Sequence, residues 1–344
     1  MDHKVALLGF GGVAHGFLNI IKEKKAALQK EYGQSIEIVS ISDVSKGGLH
    51  HANGLDLDKV LSSLQEDGTL HHYTDESGLE KGWDAITTVK KTNANVVVEL
   101  TPTDIETGQP AIDHCKAALS AGKHVVTTNK GPVVNAYREL KQSAAKNDVG
   151  IFFEGTVMSG TPVLRMATET LAGNDIQKIR GILNGTTNSM LTEMATGVSY
   201  EDALANAQSK GYAEADPTND VEGYDVQGKV IILANVLMGG NVSRDDIACQ
   251  GIAHLTEADI AEAKREGKTW KLIGVIEKNG ERVEGHVRPE KLDDTDPLAS
   301  ISGPANGICY QCDLLGEVTL TGAGAGITET GYAVLSDILT IGRN

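Results

Sequence analysis

Short runs of apolar residues alternate along the first half of the chain with stretches whose apolar residues recur every three to four positions. Val5-Ala6-Leu7-Leu8 is a continuous apolar run, as a strand covered on both faces requires. Val13, Ala14, Phe17, Leu18 and Ile21 then recur with helical spacing. Ile36, Ile38, Val39 and Ile41 predict a second strand, and Val96-Val97-Val98 a third, followed by a helix near 110–121. Val125-Val126 is a fourth, followed by a helix near 135–146, and Ile151-Phe152-Phe153 is a fifth. Strands alternating with helices predict right-handed βαβ units and a mostly parallel sheet.

Residues 45–95 break this rhythm with a polar composition, Gly47-Gly48, Asn53-Gly54 and a His pair at 71–72. Leu55, Val60, Leu61 and Leu64 predict one short helix there, and the segment is expected to lie over the sheet as an insertion. His50, His51, His71 and His72 have no acidic or cysteine partner at helical spacing, so they are expected to be solvated loop histidines rather than metal ligands. From Glu154 the character changes. Asn184-Gly185-Thr186-Thr187-Asn188 and Ala215-Asp216-Pro217 are loop or cap signals inside a longer helical region. After Leu320 come glycines at 322, 324 and 326, then a helical pattern through Val334, Leu335 and Ile338.

The length of 344 residues predicts about two domains. Lys and Arg total 31 against 47 Asp and Glu, a net charge of −16. Such a chain is repelled by phosphate backbones and by anionic membrane surfaces, so neither nucleic acid nor membrane is an expected partner. No run of about 18 apolar residues exists to span a bilayer. Met1-Asp2-His3-Lys4 runs straight into the first strand, so no signal peptide is expected. The cysteines Cys115, Cys249, Cys309 and Cys312 are sparse, which suits a reducing cytoplasm. Cys309-Tyr310-Gln311-Cys312 has the spacing of half a zinc site, but no second ligand pair follows. These are expected to be ordinary thiols in a strand or loop away from the active site.

Gly9-Phe10-Gly11-Gly12-Val13-Ala14 fits G-x-G-x-x-G/A between a strand and a helix. Gly9 permits the tight turn, Gly11 lets the backbone approach a pyrophosphate, and Ala14 allows close helix–strand packing. The free N–H groups of the helix start then hold the diphosphate. Asp43, at the end of the second strand, is placed to hydrogen-bond the adenosine ribose. It stands beyond the usual interval of about 20 residues because the first helix runs to about Tyr32. An acid there favours NAD, whereas Ser45 and Lys46 suit the extra phosphate of NADP, so the coenzyme stays open between them. A plain loop cap is the competing role for Asp43.

The segment Lys210 to Lys229 is the most informative. Asp225 and Lys229 are four apart and share one helix face, with the acid N-terminal to the cation. On a surface such a pair contributes at most about 0.5 kcal/mol; inside a cleft it presents a lysine held by an aspartate.

With Ala207, Gly211-Tyr212, Asp216-Pro217, Asp220, Gly223, Asp225 and Lys229 in order, the chain resembles homoserine dehydrogenases. The resemblance spans nearly the whole chain. It also rests on the nucleotide loop, Thr128-Asn129-Lys130, Glu154-x2-Val157, Gly160-x-Pro162, Asn184-Gly185-Thr186-Thr187-Asn188 and Gly322-x-Gly324-Ala325-Gly326. It implies reversible NAD(P)H-dependent reduction of L-aspartate 4-semialdehyde to L-homoserine, on the branch toward threonine and methionine. It implies Lys229 as the catalytic lysine, Asp225 as its orienting acid and Lys130 as a second lysine near nicotinamide and substrate. It further implies Glu214, Asp220, Tyr212, Gly185 and Thr186 around the substrate, and Thr101, Lys130, Gly324 and Gly326 at the coenzyme. A sodium site at Glu154, Val157, Ser159 and Thr161 and a homodimer follow from it too. Because the chain ends at Asn344, a C-terminal regulatory domain is not expected.

Elementary chemistry agrees with these roles. Hydride attack on an aldehyde creates an alkoxide, which needs a cation or proton donor. An amino-acid ammonium needs acids opposite it, and Asp225 opposes the proton loss that burial would force on Lys229. A semialdehyde dehydrogenase of the acyl-transfer type needs a nucleophilic cysteine, and none of the four has a paired histidine. A dihydrodipicolinate reductase is another alternative with a similar start. A dinucleotide-sensing regulator predicts loss of Lys130, Asp225 or Lys229, and all are present. The expected fold is α/β: a Rossmann dinucleotide-binding domain over 1–150, completed by a C-terminal helix at about 321–344, and an α/β catalytic and dimerisation domain over 151–320.

Overall fold

The computed structural model describes residues 1–342; Arg343 and Asn344, at the end of the expected C-terminal helix, lie outside the described residues. Two compact units divide the chain, Met1–Gly160 with the segment from Gly326 onward, and Thr161–Ala325.

The first unit opens with β1 (Asp2–Leu8), α1 (Gly12–Ala27) and β2 (Ser35–Asp43). It continues through β3 (Gly47–His50), α2 (Leu57–Asp67), β4 (Glu80–Lys81) and α3 (Ala85–Lys91). β5 (Val96–Glu99), α4 (Ala111–Ser120), β6 (His124–Thr127), α5 (Lys130–Lys146) and β7 (Ile151–Phe152) complete its first part. The strands lie in the order β4-β3-β2-β1-β5-β6-β7. β2, β1, β5, β6 and β7 run parallel, as the alternating pattern predicts.

The continuous apolar runs have a direct cause. Val5 and Leu7 join Phe17, Leu18 and Val60 on one face, whereas Ala6 and Leu8 join Val89, Cys115, Leu119 and Leu140 on the other. Both faces are therefore buried, and at roughly 25 cal/mol per Å² of apolar area this double burial stabilises the sheet at its centre. α1 ends at Ala27, widens into a π-helical turn over Leu28–Tyr32 and stops at Gly33.

The 45–95 segment corrects the sequence expectation. It does not merely lie over the sheet: β3 and β4 extend its edge, antiparallel to β2 and to each other. It carries two helices, capped by Asp56 and Asp84, rather than one. The histidines also divide. His71 and His72 are exposed, and His72 lies between Glu66 and Asp67. His50 is buried on β3 and stacked on Trp83 at 4.4 Å. A polar residue on an edge strand reads as loop in the sequence because its partner, Trp83, arrives from 33 positions away. The helix expected near 135–146 is preceded by a further helical segment from Lys130, capped by Asn129 accepting from the Gly131 amide, and the backbone is non-helical at the kink, Ala136 (φ −139°).

The second unit contains α6 (Val163–Arg165), β8 (Ile176–Ile182), α7 (Gly185–Met194), α8 (Tyr200–Ser209) and α9 (Thr218–Val221). α10 (Tyr224–Leu237), β9 (Ala248–Cys249), α11 (Glu257–Arg265) and β10 (Lys268–Asn279) follow. β11 (Arg282–Asp293), β12 (Ala305–Cys312) and β13 (Gly316–Ala323) finish it. Its sheet has the order β13-β12-β8-β10-β11-β9, with only the β9–β11 pairing parallel. α10 is buried almost all round, from Val226 to Ala234. A helix so enclosed holds any polar side chain it carries in a fixed place. Cys309 and Cys312 are buried free thiols on β12.

The chain then returns to the first unit as α12 (Ile327–Ile341), which crosses α1. The crossing is close because both helices carry glycine there: a Cβ on Gly16 would lie 2.4 Å from the Ile327 carbonyl, and one on Gly331 2.6 Å from the Phe17 nitrogen.

Candidate active site

The order of the first sheet reverses at β1, with β2 on one side and β5 on the other. Ligands of such sheets bind outside the carboxyl ends of the strands at that point. The glycine loop, Gly9 to Ala14, stands there between β1 and α1. Gly9 adopts φ +86°, and a Cβ on it would lie 2.6 Å from the Leu100 carbonyl oxygen. A Cβ on Gly11 would meet nothing within 4 Å, so the backbone there is open to an approaching group. No side chain caps the start of α1 and no acid lies in its first turn. These features fit a dinucleotide diphosphate, which takes the place of a cap.

Asp43 closes β2, and the structure gives its carboxylate work inside the protein. Oδ2 accepts from the Phe10 amide at 2.8 Å, and Oδ1 accepts from the Ser45 amide, the Ser45 hydroxyl and the Lys46 amide. Burial acts to raise this carboxyl, but the hydrogen bonds from Phe10, Ser45 and Lys46 outweigh it and hold it below its ordinary value. Asp43 thus stays ionised and ties the glycine loop to the turn after β2. Lys46 folds over the same loop, donating to the Phe10 carbonyl at 2.5 Å with its ammonium 5.8 Å from the Phe10 ring. Thr101 lies just beyond β5, and Lys130 is the first residue of α5.

The second unit gathers a different set. Lys229, on α10, is buried and donates to Asp225 Oδ2 at 2.7 Å and to the Leu183 carbonyl at 2.6 Å. An ammonium has three donors, so one N–H remains for a substrate. Asn184 caps α7 by accepting from the Thr187 amide, and its Nδ2 donates to Asp220 at 2.7 Å and to Asp225 at 3.1 Å. A single carboxamide therefore spaces two carboxylates that would otherwise repel, at the positive end of α7. Thr186 donates its hydroxyl to the Tyr212 carbonyl at 2.6 Å, joining α7 to the turn after α8. α7 is anchored from below, where buried Lys271 donates to Asn188 and to the Ile301 carbonyl.

Asp220, Asp225, Lys229, Thr186 and Gly185 are thus drawn together within this unit. Tyr212 joins through its main chain, while its side chain is 41 % exposed. Glu214 is exposed, and its carbonyl rather than its carboxylate is held, by Gln208. Gly324 lies against buried Asn306 at the start of β12, and Gly185 also approaches that side chain. The remaining coenzyme candidate, Gly326, precedes α12 in the first unit. Glu154 is buried in the first unit, where its amide donates to Asp337. Val157 is also there, and Ser159, at φ +54°, shares a hydrogen bond with Thr330. Thr161 belongs to the second unit and donates to the Ala323 carbonyl. The sequence places Asn184 in a loop or cap signal, which its bond from the Thr187 amide bears out, but its contact with Asp220 and Asp225, 36 and 41 residues on, has no sequence signal.

Burial, then the neighbouring Asp225 carboxylate, pushes the Asp220 carboxyl above its ordinary value. A carboxyl whose folded pKa exceeds its unfolded one binds its proton more tightly when folded, so ionising it costs stability as the pH rises through the folded value. Asp220→Asn is therefore expected to melt about 1–3 °C above the wild type at neutral pH. The gain should vanish in acid, where Asp220 is protonated in both states. Thermal melts across the acid range check this, and a variant that melts lower at neutral pH contradicts it.

Two family models match the chain: "Homoserine dehydrogenase, NAD binding domain" over residues 9–154 and "Homoserine dehydrogenase" over residues 162–339. An NAD(+)-dependent homoserine dehydrogenase of Pseudomonas canavaninivorans is 42 % identical over 99 % of this chain and 96 % of its own. The homoserine dehydrogenase of Methanocaldococcus jannaschii is 40 % identical over 98 % of each chain. A hyperthermophilic archaeal homoserine dehydrogenase solved in complex with NADPH superposes with a TM-score of 0.84 at 30 % identity, covering 99 % of this chain and 98 % of that one. With a nucleotide loop on one unit, a lysine–aspartate device on the other, and both matched along nearly their whole length, the chain belongs to the homoserine dehydrogenase family.

Proposed function

We propose that this chain interconverts L-aspartate 4-semialdehyde and L-homoserine, with Lys229 as the group that moves the proton. The observation that carries this is the geometry of Lys229, held by Asp225 and the Leu183 carbonyl with one donor left over. The bound nicotinamide supplies the hydride in one direction and accepts it in the other. Lys229 gives its remaining N–H to the aldehyde oxygen as that oxygen gains charge, and takes the proton from the hydroxyl in the reverse direction. Asp225 aims the ammonium. Asp220 and Glu214 oppose the substrate ammonium, and the amides at the start of α7, at Gly185 and Thr186, suit its carboxylate. Lys130, mounted at the start of α5, serves as the second cation.

The glycine loop holds the diphosphate, and Thr101, Gly324 and Gly326 approach the coenzyme. Asp43 stays ionised at the end of β2 and still has a lone pair on Oδ2 for a ribose hydroxyl. Its charge opposes a 2′-phosphate, and Lys46 is occupied with the Phe10 carbonyl. NAD is therefore the favoured coenzyme. Sodium binding by Glu154 with the main chain at Val157, Ser159 and Thr161 is part of the same proposal, as its oxygen-rich donor set suits a hard cation. So are the homodimer and the cytoplasmic location; for the latter, all four cysteines are free. No described helix is long and apolar enough to cross a membrane.

The test is chemical. Protein given L-aspartate 4-semialdehyde with NADH should form homoserine, identified by chromatography, and kcat/KM should favour NADH over NADPH by about tenfold or more, because juxtaposed like charges are costly. Another product would overturn the reaction; an equal or reversed coenzyme ratio would overturn the part given to Asp43.

A further inference from the structure

We propose that Glu99 is a positioning residue for the coenzyme: its buried carboxylate fixes the turn after β5 that walls the nucleotide crevice. This rests on the reading that the first unit holds a dinucleotide.

Glu99 ends a strand that is otherwise all valine, and it is fully buried. An acid in that position costs desolvation unless donors surround it. They do. One carboxylate oxygen accepts from the Thr101 amide at 3.2 Å and from the Thr101 hydroxyl, and it lies 3.4 Å from His114 Nδ1. The other oxygen lies 3.4 Å from the Thr127 hydroxyl at the end of β6. That hydroxyl accepts from the Asn129 amide at 3.0 Å. Asn129 then reaches back, donating its Nδ2 to the Thr101 and Pro102 carbonyls at 3.0 and 3.3 Å.

The turn is thus held at its amide, its hydroxyl and both carbonyls. It is also the element against which the glycine loop is seated, since Gly9 approaches the Leu100 carbonyl and the Thr101 amide too closely for any Cβ. The two loops flank the point where strand order reverses, so one buried acid sets the wall opposite the diphosphate loop. The same lattice reaches Asn129, which caps the helix that carries Lys130. A merely structural position in this strand would be served by another valine, without groups converging from the Thr101 turn, β6 and α4.

Glu99→Gln keeps the shape and removes the charge that the Thr101 amide and hydroxyl share. NADH affinity, read by fluorescence titration, should weaken about tenfold, the loss expected for a charge-assisted hydrogen bond. KM for the coenzyme should rise with it, while KM for homoserine stays within about twofold of the wild type. If Glu99→Gln does not fold, Thr127→Val removes the hydroxyl between Glu99 and the Asn129 amide and should weaken NADH binding in the same sense. Unchanged NADH affinity in the folded variant, whatever its melting temperature, overturns the proposal. A wild-type protein that does not bind NADH at all would instead overturn the dinucleotide reading itself.

Discussion

Replacing Lys229 with methionine is expected to lower kcat by about 10²–10³-fold, the loss seen when one donor to a developing oxyanion is removed. Methionine keeps the apolar stem among Val226 to Ala234 and removes only the ammonium. The KM for coenzyme should change little, because the nucleotide loop belongs to the other unit. Stability should fall as well. Asp225 then loses the Lys229 ammonium from a largely shielded ion pair, and breaking a buried pair costs at most about 3–5 kcal/mol. The double variant Lys229→Met with Asp225→Asn removes the carboxylate charge as well, so it should recover part of the stability without recovering activity. Initial rates and thermal melts of both variants separate the chemical loss from the folding loss. A Lys229→Met protein that keeps its kcat would end the assignment of Lys229 as proton donor.

The second large effect concerns the glycine loop. Gly9→Val places a branched side chain at φ +86°, with its Cβ 2.6 Å from the Leu100 carbonyl oxygen. Left-handed strain alone costs about 1–3 kcal/mol, and the clash adds to it. The variant should be clearly destabilised and should lose NADH binding. Gly11→Ala makes the informative contrast. Its Cβ meets nothing within 4 Å, and its φ of −87° suits any residue, so the melting temperature should not move. NADH affinity should nevertheless fall, because the Cβ enters the space into which the diphosphate must come. A Gly11→Ala variant with unchanged affinity would place the coenzyme elsewhere.

Much of this was legible in the sequence, and the reasons are local. The runs at Val5–Leu8 and Val96–Val98 could only be strands covered on both faces, and the glycines between β1 and α1 have few other uses. Asp225 and Lys229 sit one helical turn apart, so their contact follows from spacing alone. What escaped depends on distant partners. The edge strands β3 and β4 are short and polar, and only pairing makes them strands. His50 is buried because Trp83 stacks on it. Asp43 could be placed near a ribose, but not seen to hold Phe10, Ser45 and Lys46 at once. Glu99 carries no motif, and its role exists only because Thr101, Thr127 and His114 converge on it, with Asn129 tying Thr127 back to the Thr101 turn. Glu214 belongs to the same motif as Asp220, and its side chain is exposed in this fold.

The central claim is that the spare N–H of Lys229 meets the reacting oxygen. The most direct measurement is a crystal structure with L-homoserine and oxidised coenzyme bound together. The account predicts the substrate hydroxyl at about 2.7–3.2 Å from Lys229 Nζ, with Asp225 still on the same nitrogen. A homoserine hydroxyl held by other groups, with Lys229 turned to Asp225 and Leu183 alone, would contradict it.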